Sequence, residues 1–88
     1  MEGDLLMFMR VYKVKQIGMM SYKSDNELVI NTSQIVSINM ITKYPSLLDK
    51  KKYEKIFDTI YLSVFEIKLS NGNTFLIIGS TQKYENIK

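Results

Sequence analysis

The sequence predicts one β-rich α+β domain, with a small antiparallel sheet or open barrel of about five strands, one short helix and a C-terminal hairpin. Residues 60–78 support this fold class most directly, because two apolar runs flank Asn71-Gly72. Asn-Gly is the strongest local hairpin signal. Earlier segments alternate apolar and polar residues as half-buried strands do. A segment after Pro45 instead has a weak helical stripe.

The chain is 88 residues long, which suits a single domain with one core. Hydrophobic residues make up 45% and charged residues 24%, a composition typical of folded proteins. Residues 1–6 are expected to be a disordered tail and residues 80–88 a polar tail. One hypothesis for the first tail is that translation begins at Met7 or Met9.

Three strands are predicted before the helix. The first covers residues 7–17, the second residues 27–31 and the third residues 35–42, with a further short strand or packed connection around 19–22. Ser-Asp-Asn at 24–26 predicts a turn, because each side chain can bond nearby backbone.

The segment 43–58 is predicted to be an insertion between the sheet strands. Pro45 has no N–H to donate to a ladder, and Ser46 is a candidate N-cap. A helix is therefore expected over residues 47–57, and a flexible loop is the alternative.

The hairpin determines which side chains share a face of the sheet. A two-residue turn at 71–72 would place Phe65 opposite Ile78 and Ile67 opposite Leu76. Apolar residues then occur on both faces. Both faces need cover, from the rest of the chain or from a partner.

The order of strand, polar link, strand, insertion and hairpin over residues 27–78 resembles several unrelated small β modules. These include short flagellar regulators of the FlbD type and the β-domains of LytTR response regulators. The insertion at 43–58 departs from the compact versions. The resemblance transfers no functional residue and indicates no family.

The residue inventory argues against catalysis. The chain has no Cys and no His, so it offers no thiolate or imidazole for a metal site or a catalytic dyad. Its carboxylates are scattered, and no nucleotide-binding motif occurs. We therefore expect no catalytic residue, no metal and no cofactor. The apolar run near the start is too short to span a membrane and follows acidic residues, so a cytoplasmic protein without a membrane partner is expected.

A lysine-rich stretch is the main candidate binding surface. Its members are Lys50, Lys51, Lys52, Tyr53 and Lys55. Lysines neutralise phosphates and an interleaved aromatic ring can stack on a base, which predicts nucleic-acid contact. The alternative is a solvated helix face. A second basic group consists of Arg10, Lys13 and Lys15, which Lys23 and Lys68 could join in space. We expect these charges to protect an edge strand from pairing. The alternative is nucleic-acid binding, if the two basic groups form one continuous face.

The leading functional prediction is a small non-catalytic binding module that contacts a host or phage protein. Arg occurs once and Ala never, a bias that suggests an AT-rich genome, such as that of a low-GC bacterium or its phage. The chain is thus predicted to be a phage or mobile-element regulator or inhibitor. The alternatives are a nucleic-acid-binding regulator that uses the lysines, favoured by the net charge of +3, and a homo-oligomer that assembles through a sheet face or hairpin edge.

Overall fold

The computed structural model describes residues 7–81, and the predicted tail at 1–6 and residues 82–88 lie outside this range. The described chain forms β1 (Phe8–Gln16), β2 (Ser21–Asn31), a 3-10 turn (Thr32–Gln34), β3 (Ile35–Lys43), β4 (Ser46–Leu47), α1 (Lys50–Phe57), β5 (Leu62–Leu69) and β6 (Thr74–Ser80). The strands form one open sheet in the order β3-β5-β6-β1-β2-β4. Only β4 pairs in parallel, with β2. The predicted fold class is confirmed.

The connection from β2 to β3 shows that the sheet is strongly curved. Three strands separate β2 from β3 in the sheet order, so a flat sheet would hold them about 19 Å apart. The link through Thr32–Gln34 reaches at most about 14 Å. The sheet therefore curls. A hydrogen bond of 2.8 Å between the hydroxyls of Tyr22 on β2 and Thr42 on β3 also joins these distant strands.

Each face of the sheet carries its own core. The first cluster contains Val11, Ile30, Ile38, Phe65, Ile67, Leu69 and Ile77. The second contains Val14, Tyr22, Leu62, Val64 and Ile78 together with Tyr53 of α1. Successive β5 residues alternate between the two clusters, as the pleat requires. The cover that the hairpin needs on both faces thus comes largely from the same chain.

The predicted hairpin register is wrong by one residue. Phe65 lies opposite Ile77 and not Ile78, and Ile67 lies opposite Phe75. Only Gly72 has a positive φ in this turn, whereas a type I′ turn needs two such residues. Asn71 stays right-handed because its side chain accepts a hydrogen bond from the N–H of Asn73, at 2.9 Å. The loop is one residue longer than predicted, and the β6 side chains exchange faces.

The predicted turn at 24–26 is also wrong, because these residues lie within β2. The pairing moves from Tyr12 opposite Glu27 to Val14 opposite Ser24, so a bulge accommodates the extra polar residue. The chain reverses earlier, at 17–20, where the side-chain amide of Gln16 donates to two loop carbonyls.

The helix forms within the predicted segment but starts later, at Lys50. Asp49 occupies the N-cap position, without a side-chain capping bond. Ser46, the predicted cap, instead belongs to β4. The hairpin strand also starts later than predicted, which leaves Ile60 and Tyr61 outside β5.

Candidate functional site

The four lysines of the candidate surface lie on α1 and are exposed; they are Lys50, Lys51, Lys52 and Lys55, and we call them the lysine face. The amine of Lys50 lies 3.8 Å from the Glu54 carboxylate, an exposed ion pair one turn apart that contributes little to stability. The lysines are therefore accessible to an anionic partner.

Tyr53 does not belong to that exposed surface, which corrects its predicted role. Its side chain is only 1% exposed and its ring packs edge-on against Tyr12, with centroids 6.2 Å apart. The hydroxyls of Tyr53 and Ser24 are 2.7 Å apart. Tyr53 fixes the helix to the sheet, because it is the residue whose apolar ring completes the second cluster. It cannot stack on a nucleic-acid base in this structure.

The second basic group is divided between the faces of the sheet. Strand alternation places Arg10 on one face and Lys13 and Lys15 on the other. Arg10 also donates to the Glu27 carboxylate at 2.9 Å. The structure thus does not assemble these cations into one patch. The predicted edge-strand role is also wrong, because β1 lies inside the sheet between β6 and β2.

A groove beside the lysine face brings together two segments that are distant in the sequence. We call it the tyrosine groove. It has a volume of about 280 Å³ and is lined by Tyr44, Pro45, Leu47, Lys50, Ile60, Tyr61 and Leu62. One wall is the chain between β3 and α1, and the other is the chain that enters β5.

The first wall depends on an unusual backbone conformation at Tyr44. Its φ is 55°, in the left-handed region that aromatic residues rarely adopt, and it precedes a proline that favours extended structure. Such a conformation costs about 1–3 kcal/mol and persists only where neighbouring contacts impose it. The N–H of Tyr44 donates to the carbonyl of Leu62 at 3.1 Å. The bond holds the two walls together.

The groove exposes much of its apolar surface. Tyr44 is 55% exposed, Ile60 61% and Tyr61 51%. The rings of Tyr44 and Tyr61 are 6.2 Å apart between centroids, and the amine of Lys43 lies 5.5 Å from the centre of the Tyr44 ring. The result is a patch of two aromatic rings and one aliphatic side chain next to a concavity, with a cation at its margin.

A second, polar cavity of about 240 Å³ lies at the β2 bulge. At its wall the hydroxyl of Ser24 donates to the Asp49 carboxylate at 2.7 Å and pairs with Tyr53. These bonds join the start of α1 to β2. Their arrangement accounts for how the helix is anchored to the sheet.

Over residues 7–81, no three acidic, His or Cys side chains lie close enough together to hold a metal ion. No helix in the same range has the length and apolar character needed to cross a membrane.

The groove residues were missed by sequence reasoning. In the sequence, Tyr44 is interpreted as the residue before a proline that interrupts the sheet, and Ile60 as part of a strand. The signal that the sequence does contain is the bulky aromatic Tyr44 directly before Pro45. Its neighbour in the structure, Tyr61, comes after the helix in the sequence. Comparison of the chain with protein-family models, with curated proteins and with solved structures finds no match in any of the three.

Proposed function

We propose that this chain is a cytoplasmic, non-catalytic module that binds another protein through the tyrosine groove. One observation supports this most strongly: Tyr44, Ile60 and Tyr61 are each at least half exposed and surround a single concavity. Exposed apolar patches rimmed by polar residues are typical of interaction sites. Tyrosine is enriched in the residues that dominate binding energy.

The exposure of the groove supports a protein partner over a small molecule. Pockets for drug-sized ligands bury most of the ligand. A groove of about 280 Å³ whose three main apolar side chains are each at least half exposed instead suits one side chain projecting from a larger surface.

The composition supports a further part of the proposal, that the partner is a host protein regulated or inhibited by a phage or mobile-element product. A chain with one Arg and no Ala is typical of AT-rich genomes.

Nucleic-acid binding by the lysine face is the second candidate function. Four exposed lysines on one short helix support this candidate. The burial of Tyr53 argues against it, because it removes the aromatic ring that would stack on a base.

The test is affinity capture from lysate of a low-GC Gram-positive bacterium, with and without nuclease treatment, using the wild-type chain, Tyr61→Ser and Phe8→Ser. Phe8 is an exposed aromatic at the far end of β1 and serves as a matched control. We expect at least one protein to be retained by the wild type and by Phe8→Ser and lost by Tyr61→Ser.

Three other results would count against the proposal. If both variants capture the protein equally well, the groove is not the contact surface. Material that disappears on nuclease treatment would support the lysine face instead. Recovery of the bait alone would favour self-assembly.

A further inference from the structure

Leu47, which lines the tyrosine groove, belongs to β4 at the edge of the sheet. β4 is the last strand in the sheet order and pairs only with β2 among the described strands. The N–H of Ser46 donates to the Met20 carbonyl at 2.8 Å, and that of Leu48 donates to the Tyr22 carbonyl at 3.2 Å. Because backbone groups alternate in direction along a strand, the N–H and C=O of Leu47 point away from β2.

Leu47 therefore offers one backbone donor and one acceptor that the sheet does not use, and the same residue lines the groove. Extended peptides commonly bind by adding a strand to such an edge, with alternate side chains entering pockets. The apolar surface of Tyr44, Ile60 and Tyr61 lies in the same groove. Backbone pairing and a side-chain pocket thus occur together.

The charged side chains at the groove indicate the charge of the partner. Lys50 is the only charged residue that lines the groove in the described part of the chain. Lys43 adds a second cation beside Tyr44. The Glu54 carboxylate lies 3.8 Å from the Lys50 amine, a distance at which an exposed pair is easily exchanged for a better-placed anion. The margin of the groove is complementary to carboxylates.

We infer that the tyrosine groove binds an extended acidic peptide segment of the partner protein. The segment pairs with the Leu47 edge of β4, inserts one large apolar side chain into the concavity beside the Tyr44 and Tyr61 rings, and places a carboxylate near Lys43 and Lys50. This inference rests on the proposed function, since it specifies the partner of the same groove.

The test uses a displayed library of random nine-residue peptides, selected on the wild-type chain and counter-selected on Tyr61→Ser. We expect the enriched peptides to share one large apolar residue flanked by Asp or Glu. The best peptide is then synthesised with a fluorescent label for anisotropy titration. N-methylation of the backbone amide that pairs with Leu47, found by scanning each position, should weaken binding at least tenfold.

The charge requirement is tested by Lys43→Glu/Lys50→Glu, with Lys51→Glu/Lys52→Glu as the matched control on the lysine face. The first double substitution should weaken binding of the acidic peptide at least tenfold. The second should weaken it less than threefold. Thermal unfolding of each variant confirms that it is folded.

Several results would overturn the inference. It fails if no Tyr61-dependent peptide is enriched, if the enriched peptides lack acidic flanks, or if no N-methylation weakens binding. Groove-dependent capture of a folded protein would survive each of these results, so the proposed function can stand when the inference does not.

Discussion

The lysine face and the tyrosine groove share the segment 43–58 but differ in how they are built. The lysine face consists of exposed side chains from one helix, of which Lys50 also lines the groove. The groove joins residues 44–47 to residues 60–62 across a backbone hydrogen bond. One surface is convex and charged, and the other is concave and aromatic.

This difference teaches that local charge density and binding geometry are separate properties. Four exposed lysines attract anions without fixing their orientation, because long side chains lose entropy when held in place. The groove holds two rings 6.2 Å apart on a backbone that is already strained into position. Preorganised surfaces bind with a smaller ordering cost.

The largest expected effect concerns the residue beneath the lysine face. Tyr53→Ala should lower the free energy of unfolding by about 3–5 kcal/mol, because it removes a fully buried ring and leaves a cavity. Urea denaturation measures the loss, with Lys52→Ala as the exposed neighbouring control. A loss below about 1 kcal/mol would show that the helix is not anchored by Tyr53.

Tyr44→Asn should separate binding from stability. Asn tolerates the left-handed conformation better than Tyr, so the free energy of unfolding should change by less than about 1 kcal/mol. Partner binding should weaken at least tenfold, or about 1.4 kcal/mol, because the ring is lost. Titration calorimetry with the captured partner measures this. Unchanged affinity would remove Tyr44 from the contact surface.

Tyr53→Phe tests the hydrogen bond that anchors the helix. Loss of the hydroxyl paired with Ser24 should cost about 1 kcal/mol in unfolding free energy. The double variant with Ser24→Ala should cost less than the sum of the single variants, because both remove the same bond. Strict additivity in urea denaturation would indicate that the two hydroxyls do not interact.

The smallest effect is expected on the lysine face itself. Replacing Lys51, Lys52 and Lys55 by Gln should change the free energy of unfolding by less than about 0.5 kcal/mol, since the side chains are exposed. Retention of the captured protein should be unchanged. A marked loss of partner, or of salt-sensitive retention on DNA, would move the contact from the groove to the lysines.

Sequence reasoning succeeded where the signal was local. Asn71-Gly72 predicts the hairpin, and Pro45 with the stripe after it predicts the helix. It failed at the hairpin register, because one hydrogen bond that the Asn71 side chain accepts from the N–H of Asn73 changes the loop length. Simple alternation would place Val36 on the same face as the buried Ile38, but an irregularity in the pairing of β3 leaves Val36 exposed.

The sequence by itself determined the fold class, since periodicity and turn residues act over a few neighbouring positions. It also placed the lysines on one helix. Only the tertiary structure decided that Tyr53 faces the core and that Tyr44 meets Tyr61. Both outcomes depend on contacts between segments that are distant in the sequence. The curved sheet and the two groove walls create these contacts, and no local pattern encodes them.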